Sequence, residues 1–269
     1  MNNCSEDPIG VFDSGLGGLT VVKELSHHLP NERIVYFGDT ARVPYGTKSG
    51  DTIIRYSREI VRVLLEQKVK MVVVACNTAS SLALDVLKKE FDLPIHGVIE
   101  PGAKKAVEVT RNKKVGIIAT SSTVKSGKYA KKIVQLDKNI IVTSLACPLF
   151  VPLVEEGWFD HAVTYQVAEQ YLGDLKKKKI DTLILGCTHY PLLKGVLHNV
   201  MGPKVQLVDS AQEVALQVKE ELTRKRLLRT RLGPCQHMFI VSDEPKQFQR
   251  LAMRFLGGGV KNVRRHIYV

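Results

Sequence analysis

Apolar runs of strand length alternate along the chain with segments whose apolar residues have helical spacing. The runs predict strands near residues 8–12, 33–38, 70–75, 94–99, 114–119, 139–145, 180–186, 204–208 and 237–241. The clearest helical segment extends from Asp51 to Lys68, and Asp51 is placed to cap its first turn. This alternation predicts an α/β fold in which helices flank mainly parallel sheets.

Two segments of the chain are near copies of each other. Residues 71–78 read MVVVACNT, and residues 181–189 read DTLILGCTH. Each contains an unbroken apolar run, as expected of a strand buried on both faces of a parallel sheet, followed by a small residue, a cysteine and a threonine. The segments around Gly10 and Gly116 also resemble each other, and their separation along the chain is similar to that of the two cysteine segments. A repeat of this length predicts two similar α/β units in tandem, since solenoid repeats are much shorter.

The second unit ends near residues 207–210, and the segment that follows is short for an independent domain. We therefore expect the C-terminal segment to return and pack on the first unit. The predicted division is a first domain of residues 1–99 plus 209–269 and a second domain of residues 100–208.

The composition is that of a globular protein, with 44% hydrophobic and 25% charged residues. No apolar stretch approaches the roughly 20 residues of a membrane span, and the polar start lacks the order of a signal peptide. Five cysteines without close pairs disfavour a disulfide framework and favour a reducing compartment. We therefore expect a cytoplasmic protein that does not bind a membrane.

The formal net charge of +12 invites a nucleic-acid interpretation. Much of this charge lies in short runs at predicted helix ends or faces, and only 6% of the residues are aromatic. A solvated surface is therefore the favoured explanation, and a nucleic-acid partner is disfavoured. The same positive field would raise the local concentration of an acidic small substrate.

Residues 13–20, DSGLGGLT, follow the first predicted strand and open a helix. Free N–H groups at such a helix start can bind an anion, although the glycine spacing does not match the dinucleotide fingerprint. Asp13 lies at the carboxyl end of the strand, where it could bind a substrate amine or orient a base; capping the helix is the alternative. The loop from Asp39 to Gly46 also follows a strand, and is either an ordinary turn or a binding loop.

Cys76 and Cys187 are the strongest candidates for chemistry. A single buried cysteine often only fills space. These two lie at matched strand ends, where open α/β sheets bind ligands, and His189 follows the second. Two matched proton carriers suit the inversion of a stereocentre. A zinc site would need three or four ligands, for which the C-x-H spacing is a thin basis. Three further cysteines lack such a context: Cys4, Cys147 and Cys235.

Assembled, these segments resemble the glutamate racemases of the cofactor-independent aspartate/glutamate racemase superfamily. The resemblance extends nearly end to end and is carried by FDSGLGG (12–18), PYG (44–46), ACNTAS (75–80), GVIEPG (97–102) and LGCTHYP (185–191). It implies two similar α/β domains with the active site between them, the first completed by the C-terminal segment. It also implies interconversion of L- and D-glutamate for bacterial peptidoglycan synthesis, without a metal, pyridoxal phosphate or nicotinamide, and it admits a homodimer.

By this resemblance, Cys76 and Cys187 are the two catalytic acid/bases on opposite sides of the substrate α-carbon. Asp13 would assist Cys76. His189 and Glu155 would assist Cys187, which in the family pattern takes the proton from L-glutamate. The resemblance implies a substrate-binding set of Asp13, Ser14, Tyr45, Gly46, Asn77, Thr78, Thr120, Thr123, Thr188 and His189.

The chemistry of these residue types agrees with that assignment. One thiolate must be favoured by its surroundings, while the opposite thiol stays protonated to deliver its proton. Donors such as Thr78 and Thr188 could stabilise the carbanion. Two alternatives remain: a sister activity on aspartate, hydantoins or maleate, against which the GCTHYP sequence argues, and a basic nucleic-acid-binding protein that retains the fold.

Overall fold

The computed structural model describes residues 4–233, 235–258 and 260–268, and within them the chain alternates strands with helices. The strands are β1 (Ile9–Asp13), β2 (Ile34–Gly38), β3 (Met71–Val74), β4 (Ile95–Gly97), β5 (Lys114–Ala119), β6 (Ile141–Ala146), β7 (Thr182–Gly186), β8 (Gln206–Asp209), β9 (Met238–Val241) and β10 (Val263–Arg265). The helices are α1 (Leu19–His28), α2 (Gly50–Glu66), α3 (Asn77–Leu82), α4 (Leu84–Glu90), α5 (Ile99–Val109), α6 (Ser121–Ser126), α7 (Lys128–Leu136), α8 (Phe150–Glu155), α9 (Ala162–Lys177), α10 (Lys194–Met201), α11 (Ser210–Arg224) and α12 (Pro245–Leu256).

The strands form two sheets in which every pair of neighbours is parallel. The six-stranded sheet has the order β10-β9-β2-β1-β3-β4, and the four-stranded sheet has the order β6-β5-β7-β8. β9 pairs with β2, and Val241 lies opposite Gly38. The C-terminal segment therefore returns to the sheet that the first strands form. The predicted α/β class with two parallel sheets flanked by helices is confirmed.

The sequence prediction differs from the structure at two places. β10 was not expected, because Val263-Arg264-Arg265 has no apolar run; its pairing with β9 forms it. The predicted cap of α2 was also wrong. Ser49 is the N-cap and accepts a hydrogen bond from the Thr52 N–H, while Asp51 lies inside the first turn, where its charge favours the helix dipole.

A continuous apolar cluster connects the two sheets. It includes Val11 and Tyr36 from the first sheet and Leu183 and Leu185 from the second, all buried. Burial of each such side chain contributes roughly 1.5–3 kcal/mol. Because this cluster joins the sheets, the loops at the carboxyl ends of β1, β3, β5 and β7 lie against one another.

The basic runs lie largely at helix carboxyl ends. Lys176 and Lys177 are in the last turn of α9, and Arg224 is in the last turn of α11. A cation at this end interacts favourably with the helix dipole. Across the described part of the chain, no helix is both long enough and apolar enough to cross a membrane.

Candidate active site

The two matched cysteines lie at the carboxyl ends of inner strands, one in each sheet. Cys76 follows β3 and is the N-cap of α3, where its sulfur accepts a hydrogen bond from the Ala79 N–H at 3.5 Å. Cys187 follows β7. Only 5% of Cys76 and 6% of Cys187 is exposed. Both thiols therefore occupy the edge where α/β sheets bind ligands, in a strongly desolvated setting.

Cys76 shares its surroundings with a buried carboxylate. Asp13 is the last residue of β1, and its Oδ1 accepts a hydrogen bond from the Thr188 hydroxyl at 3.3 Å. Burial and the negative charge of Asp13 raise the pKa of the Cys76 thiol to about 12, although hydrogen bonds from Ala79 and Ser14 oppose the rise. Burial also raises the pKa of Asp13. Cys76 is therefore held as a neutral thiol at neutral pH.

The glycine turn after β1 directs its N–H groups at Asp13 itself. The N–H groups of Gly15 and Gly18 hydrogen-bond to the Asp13 carboxylate. Helix capping by Asp13 was the alternative interpretation, and it is wrong: the N-cap of α1 is Gly18. Gly17 touches the other half of the site, since a Cβ atom there would lie 2.2 Å from the Thr188 Oγ1. This close approach requires glycine at residue 17.

Cys187 has a cationic neighbour instead. The Nδ1 of His189 lies 3.8 Å from the Cys187 sulfur, and its Nε2 lies 3.1 Å from Glu155 Oε1 at the end of α8. Burial lowers the His189 pKa, but its hydrogen bonds to Cys187 and Glu155 outweigh burial and raise this pKa to about 10. His189 therefore places a cationic ring beside the Cys187 sulfur. The two sulfurs thus have opposite electrostatic surroundings.

Three threonine hydroxyls from the two sheets meet beside the thiols. Thr78, on α3, lies 2.9 Å from the Thr120 hydroxyl and 3.4 Å from that of Thr123. Thr120 follows β5 and caps α6. Nearby, Asn77 Oδ1 accepts a hydrogen bond from the Tyr129 hydroxyl at 2.7 Å. In this conformation the hydroxyls satisfy one another across the junction between the sheets.

The 40–47 loop, which contains short 3-10 turns at Thr40–Arg42 and Tyr45–Thr47, covers one side of the site. A Cβ atom at Gly46 would lie 2.8 Å from Thr120 Cβ, and the Gly46 carbonyl accepts a hydrogen bond from Ser122 at 2.8 Å. The hydroxyl of Tyr45 donates to the buried Asp39 carboxylate. The loop is therefore wedged against the second sheet at Gly46, while Tyr45 anchors it to the first.

Contacts link most of the residues that the resemblance implied. Asp13 meets Thr188, Ser14 meets Cys76, and Cys187 meets His189 and through it Glu155. Thr78, Thr120 and Thr123 form one cluster, and Gly46 lies against it. Asn77 is joined through Tyr129, and Tyr45 only through its loop.

Sequence reasoning missed four residues that shape the site: Gly17, Asp39, Ser122 and Tyr129. Gly17 lay inside a quoted motif, where close backbone approach was the available signal. Tyr129 had none, because it lies 52 residues from Asn77 in the chain.

A small cavity lies beside one of the two thiols. A cavity lined by Asn77 and Cys187 has a volume of about 10 Å³, comparable to a single water molecule. Of the residues that the structure describes, no three His, Cys, Asp or Glu side chains are grouped as metal ligands. The ionisable groups of the candidate site are two thiols, a carboxylate and an imidazole–carboxylate pair.

Comparison with known proteins agrees with this geometry. The sequence profile of the Asp/Glu/hydantoin racemase family matches residues 14–218. A glutamate racemase of Geobacter metallireducens is 52% identical over 255 residues, which cover 95% of this chain and 94% of that protein.

Solved structures show the same architecture. The crystal structure of the glutamate racemase isoform RacE1 from Bacillus anthracis has a TM-score of 0.94 at 39% identity, and the alignment covers 97% of this chain and 98% of that one. The glutamate racemase of Francisella tularensis in complex with D-glutamate has a TM-score of 0.91 at 38% identity, with 98% of each chain covered.

Proposed function

The chain belongs to the Asp/Glu/hydantoin racemase family, and we propose that it interconverts L-glutamate and D-glutamate by proton transfer between Cys76 and Cys187. The observation that carries this proposal is the opposite electrostatic setting of the two sulfurs. Burial and the Asp13 carboxylate raise the pKa of the Cys76 thiol, whereas Cys187 lies beside the His189 imidazolium. We therefore assign Cys76 as the acid and Cys187 as the base in the direction from L-glutamate.

In the direction from L-glutamate, the Cys187 thiolate takes the α-proton and becomes a thiol. The electron pair of the C–H bond remains on the α-carbon, delocalised into the adjacent carboxylate. The Cys76 thiol then gives its proton to the opposite face and becomes a thiolate, which yields D-glutamate. Hydroxyl donors such as Thr188 stabilise the developing charge on the carboxylate.

Asp13 and His189 control the protonation of the sulfurs between turnovers. His189 contacts the Cys187 sulfur, and the hydrogen bond from His189 to Glu155 helps to keep His189 protonated. Asp13, whose pKa burial raises, is the group that receives a proton when Cys76 must act as the base from D-glutamate. Each thiol therefore has its own positioning partner, as the two directions of the reaction require.

Substrate binding is assigned to the polar groups around the thiols. The proposed set is Asp13, Ser14, Tyr45, Gly46, Asn77, Thr78, Thr120, Thr123, Thr188 and His189. Because the hydroxyls of Thr78, Thr120 and Thr123 bind one another, these contacts must separate before the hydroxyls can bind glutamate. The hydroxyls that now bind one another then become donors to the substrate carboxylates.

The domain division, the location and the biological role of the enzyme are part of the same proposal. We propose a division into residues 1–99 plus 209–269 and residues 100–208; the two sheets support it, although Asp209 is the last residue of β8 in the second sheet. We also propose a cytoplasmic enzyme that supplies D-glutamate for peptidoglycan and needs no added cofactor; a homodimer is compatible with this function.

The test is circular dichroism of purified protein with L-glutamate and, separately, D-glutamate. Both solutions should converge on the racemate. Aspartate in parallel distinguishes the sister activity: turnover of aspartate as fast as glutamate would favour that alternative. A DNA-binding protein would instead be retained on DNA in a salt-dependent manner and leave both optical signals unchanged.

A further inference from the structure

The C-terminal end of the chain is bound to the 40–47 loop through one buried carboxylate. Asp39 Oδ2 accepts hydrogen bonds from the Tyr45 hydroxyl and from Arg42 Nε, the latter at 2.7 Å. Its Oδ1 accepts from the Ser242 hydroxyl at 2.9 Å and from the Tyr268 hydroxyl at 3.2 Å. Asp39 is fully buried. The same carboxylate therefore holds both Tyr45 and the penultimate residue of the chain.

Tyr268 also stacks on the arginine of the loop. The Arg42 guanidinium carbon lies 3.8 Å from the centre of the Tyr268 ring and 3.9 Å from that of the Tyr56 ring, so the cation is sandwiched between two aromatic faces. Glu59 forms an ion pair with the same guanidinium. Removal of Tyr268 would open one face of this arrangement to water.

The tail reaches the loop because it extends the first sheet. β10 pairs with β9, and the His266 N–H donates to the Val241 carbonyl at 2.8 Å. Reciprocal hydrogen bonds join the loop to the same segment: the Thr40 hydroxyl donates to the Asp243 carbonyl at 2.6 Å and accepts from the Asp243 N–H at 2.8 Å. The loop is thus fixed from the C-terminal side.

We propose that Tyr268 is a positioning residue for the 40–47 loop, and through it for Tyr45 and Gly46, an inference that rests on the proposed function. Tyr268 touches neither sulfur in the contacts that the structure describes. It acts through Asp39 and Arg42, which hold the loop against Thr120 on the opposite side of the site. The loop would bind substrate equally in the ground and transition states, so its displacement changes KM and leaves kcat unchanged.

The experiment compares three variants of the full chain. Tyr268→Phe removes the hydrogen bond to Asp39 and keeps the ring on Arg42, whereas Tyr268→Ala removes both. Ile267→Ala is the matched control, since Ile267 is adjacent in sequence and 69% exposed. Steady-state rates with L- and D-glutamate are measured together with amide hydrogen exchange over residues 40–47.

Tyr268→Ala should raise KM for both enantiomers by the same factor, roughly tenfold, and Tyr268→Phe by about threefold. Values of kcat and the α-deuterium isotope effect should stay constant, and exchange in the 40–47 loop should accelerate. An unchanged KM in folded Tyr268→Ala would overturn the proposal, and so would an equal rise in Ile267→Ala.

The two proposals fail separately. If the wild-type protein does not racemise glutamate, the proposed function is wrong, and hydrogen exchange still decides the role of Tyr268. Faster exchange of residues 40–47 in Tyr268→Ala than in Ile267→Ala supports positioning, and identical exchange refutes it.

Discussion

Replacement of His189 by asparagine tests how Cys187 is kept ready to act as a base. Two unit charges 3.8 Å apart attract by about 4 kcal/mol at an effective dielectric constant of about 20. Because His189 is 4% exposed, solvent weakens this attraction little. An asparagine amide can return about 1 kcal/mol as a neutral hydrogen bond. The net loss of about 3 kcal/mol predicts a roughly 10²-fold slower proton abstraction by Cys187.

The loss should depend on direction. The assay is steady-state turnover of L- and D-glutamate, each with hydrogen or deuterium at the α-carbon. At equilibrium the ratio of the two kcat/KM values is fixed, so the asymmetry must be sought in kcat and in the isotope effects. In His189→Asn, kcat from L-glutamate should fall most, and its isotope effect should rise more than that from D-glutamate.

Glu155→Gln serves as the graded control, because it keeps the imidazole and removes the carboxylate 3.1 Å from it. The His189 pKa of about 10 should fall, so activity from L-glutamate should decline at a lower pH than in the wild type. If the isotope effect changes equally from both enantiomers in His189→Asn, His189 only binds substrate and the reasoning is refuted.

Three further predictions concern other parts of the molecule. Cys76→Ala should slow racemisation in both directions by roughly 10²–10⁴-fold or more, measured by circular dichroism. Near-wild-type rates would contradict the two-thiol assignment. Gly17→Ala should lower kcat/KM at least roughly tenfold, because its Cβ would lie 2.2 Å from Thr188 Oγ1, whereas Gly195→Ala, with open space around it, should not; equal effects would contradict the close-contact argument. Burial lowers the His237 pKa below its ordinary 6.5, so the unfolded chain binds the proton more tightly and stability falls as the pH drops below about 6.5. Urea unfolding at pH 7 and pH 5 should show a smaller loss in His237→Gln than in the wild type.

The sequence placed the candidate site at the carboxyl ends of the strands because the signals there are local. Uninterrupted apolar runs such as residues 71–74 specify buried parallel strands, and the residue that follows such a run must lie at the carboxyl end of the sheet. Cys76 and Cys187 were found in this way. His189, which lies two residues after Cys187, was equally visible in the sequence.

What escaped prediction depends on distant parts of the chain. β10 forms only through its pairing with β9, since an exposed Arg264-Arg265 pair gives no apolar pattern. The role of Tyr268 requires Asp39, 229 residues earlier, to be buried beneath it. The prediction of the α2 cap failed for a local reason, because Ser49, two residues before Asp51, is the N-cap residue instead.

The most direct test of proton transfer by two separate thiols is racemisation in D₂O. The enzyme is equilibrated in D₂O, unlabelled L-glutamate is added, and both enantiomers are analysed at low conversion by mass spectrometry after chiral separation. The account predicts that D-glutamate carries one α-deuterium, delivered by the Cys76 thiol, while the remaining L-glutamate keeps its hydrogen. D-Glutamate that retains the original hydrogen would show that a single group carries the proton across, and would contradict the account.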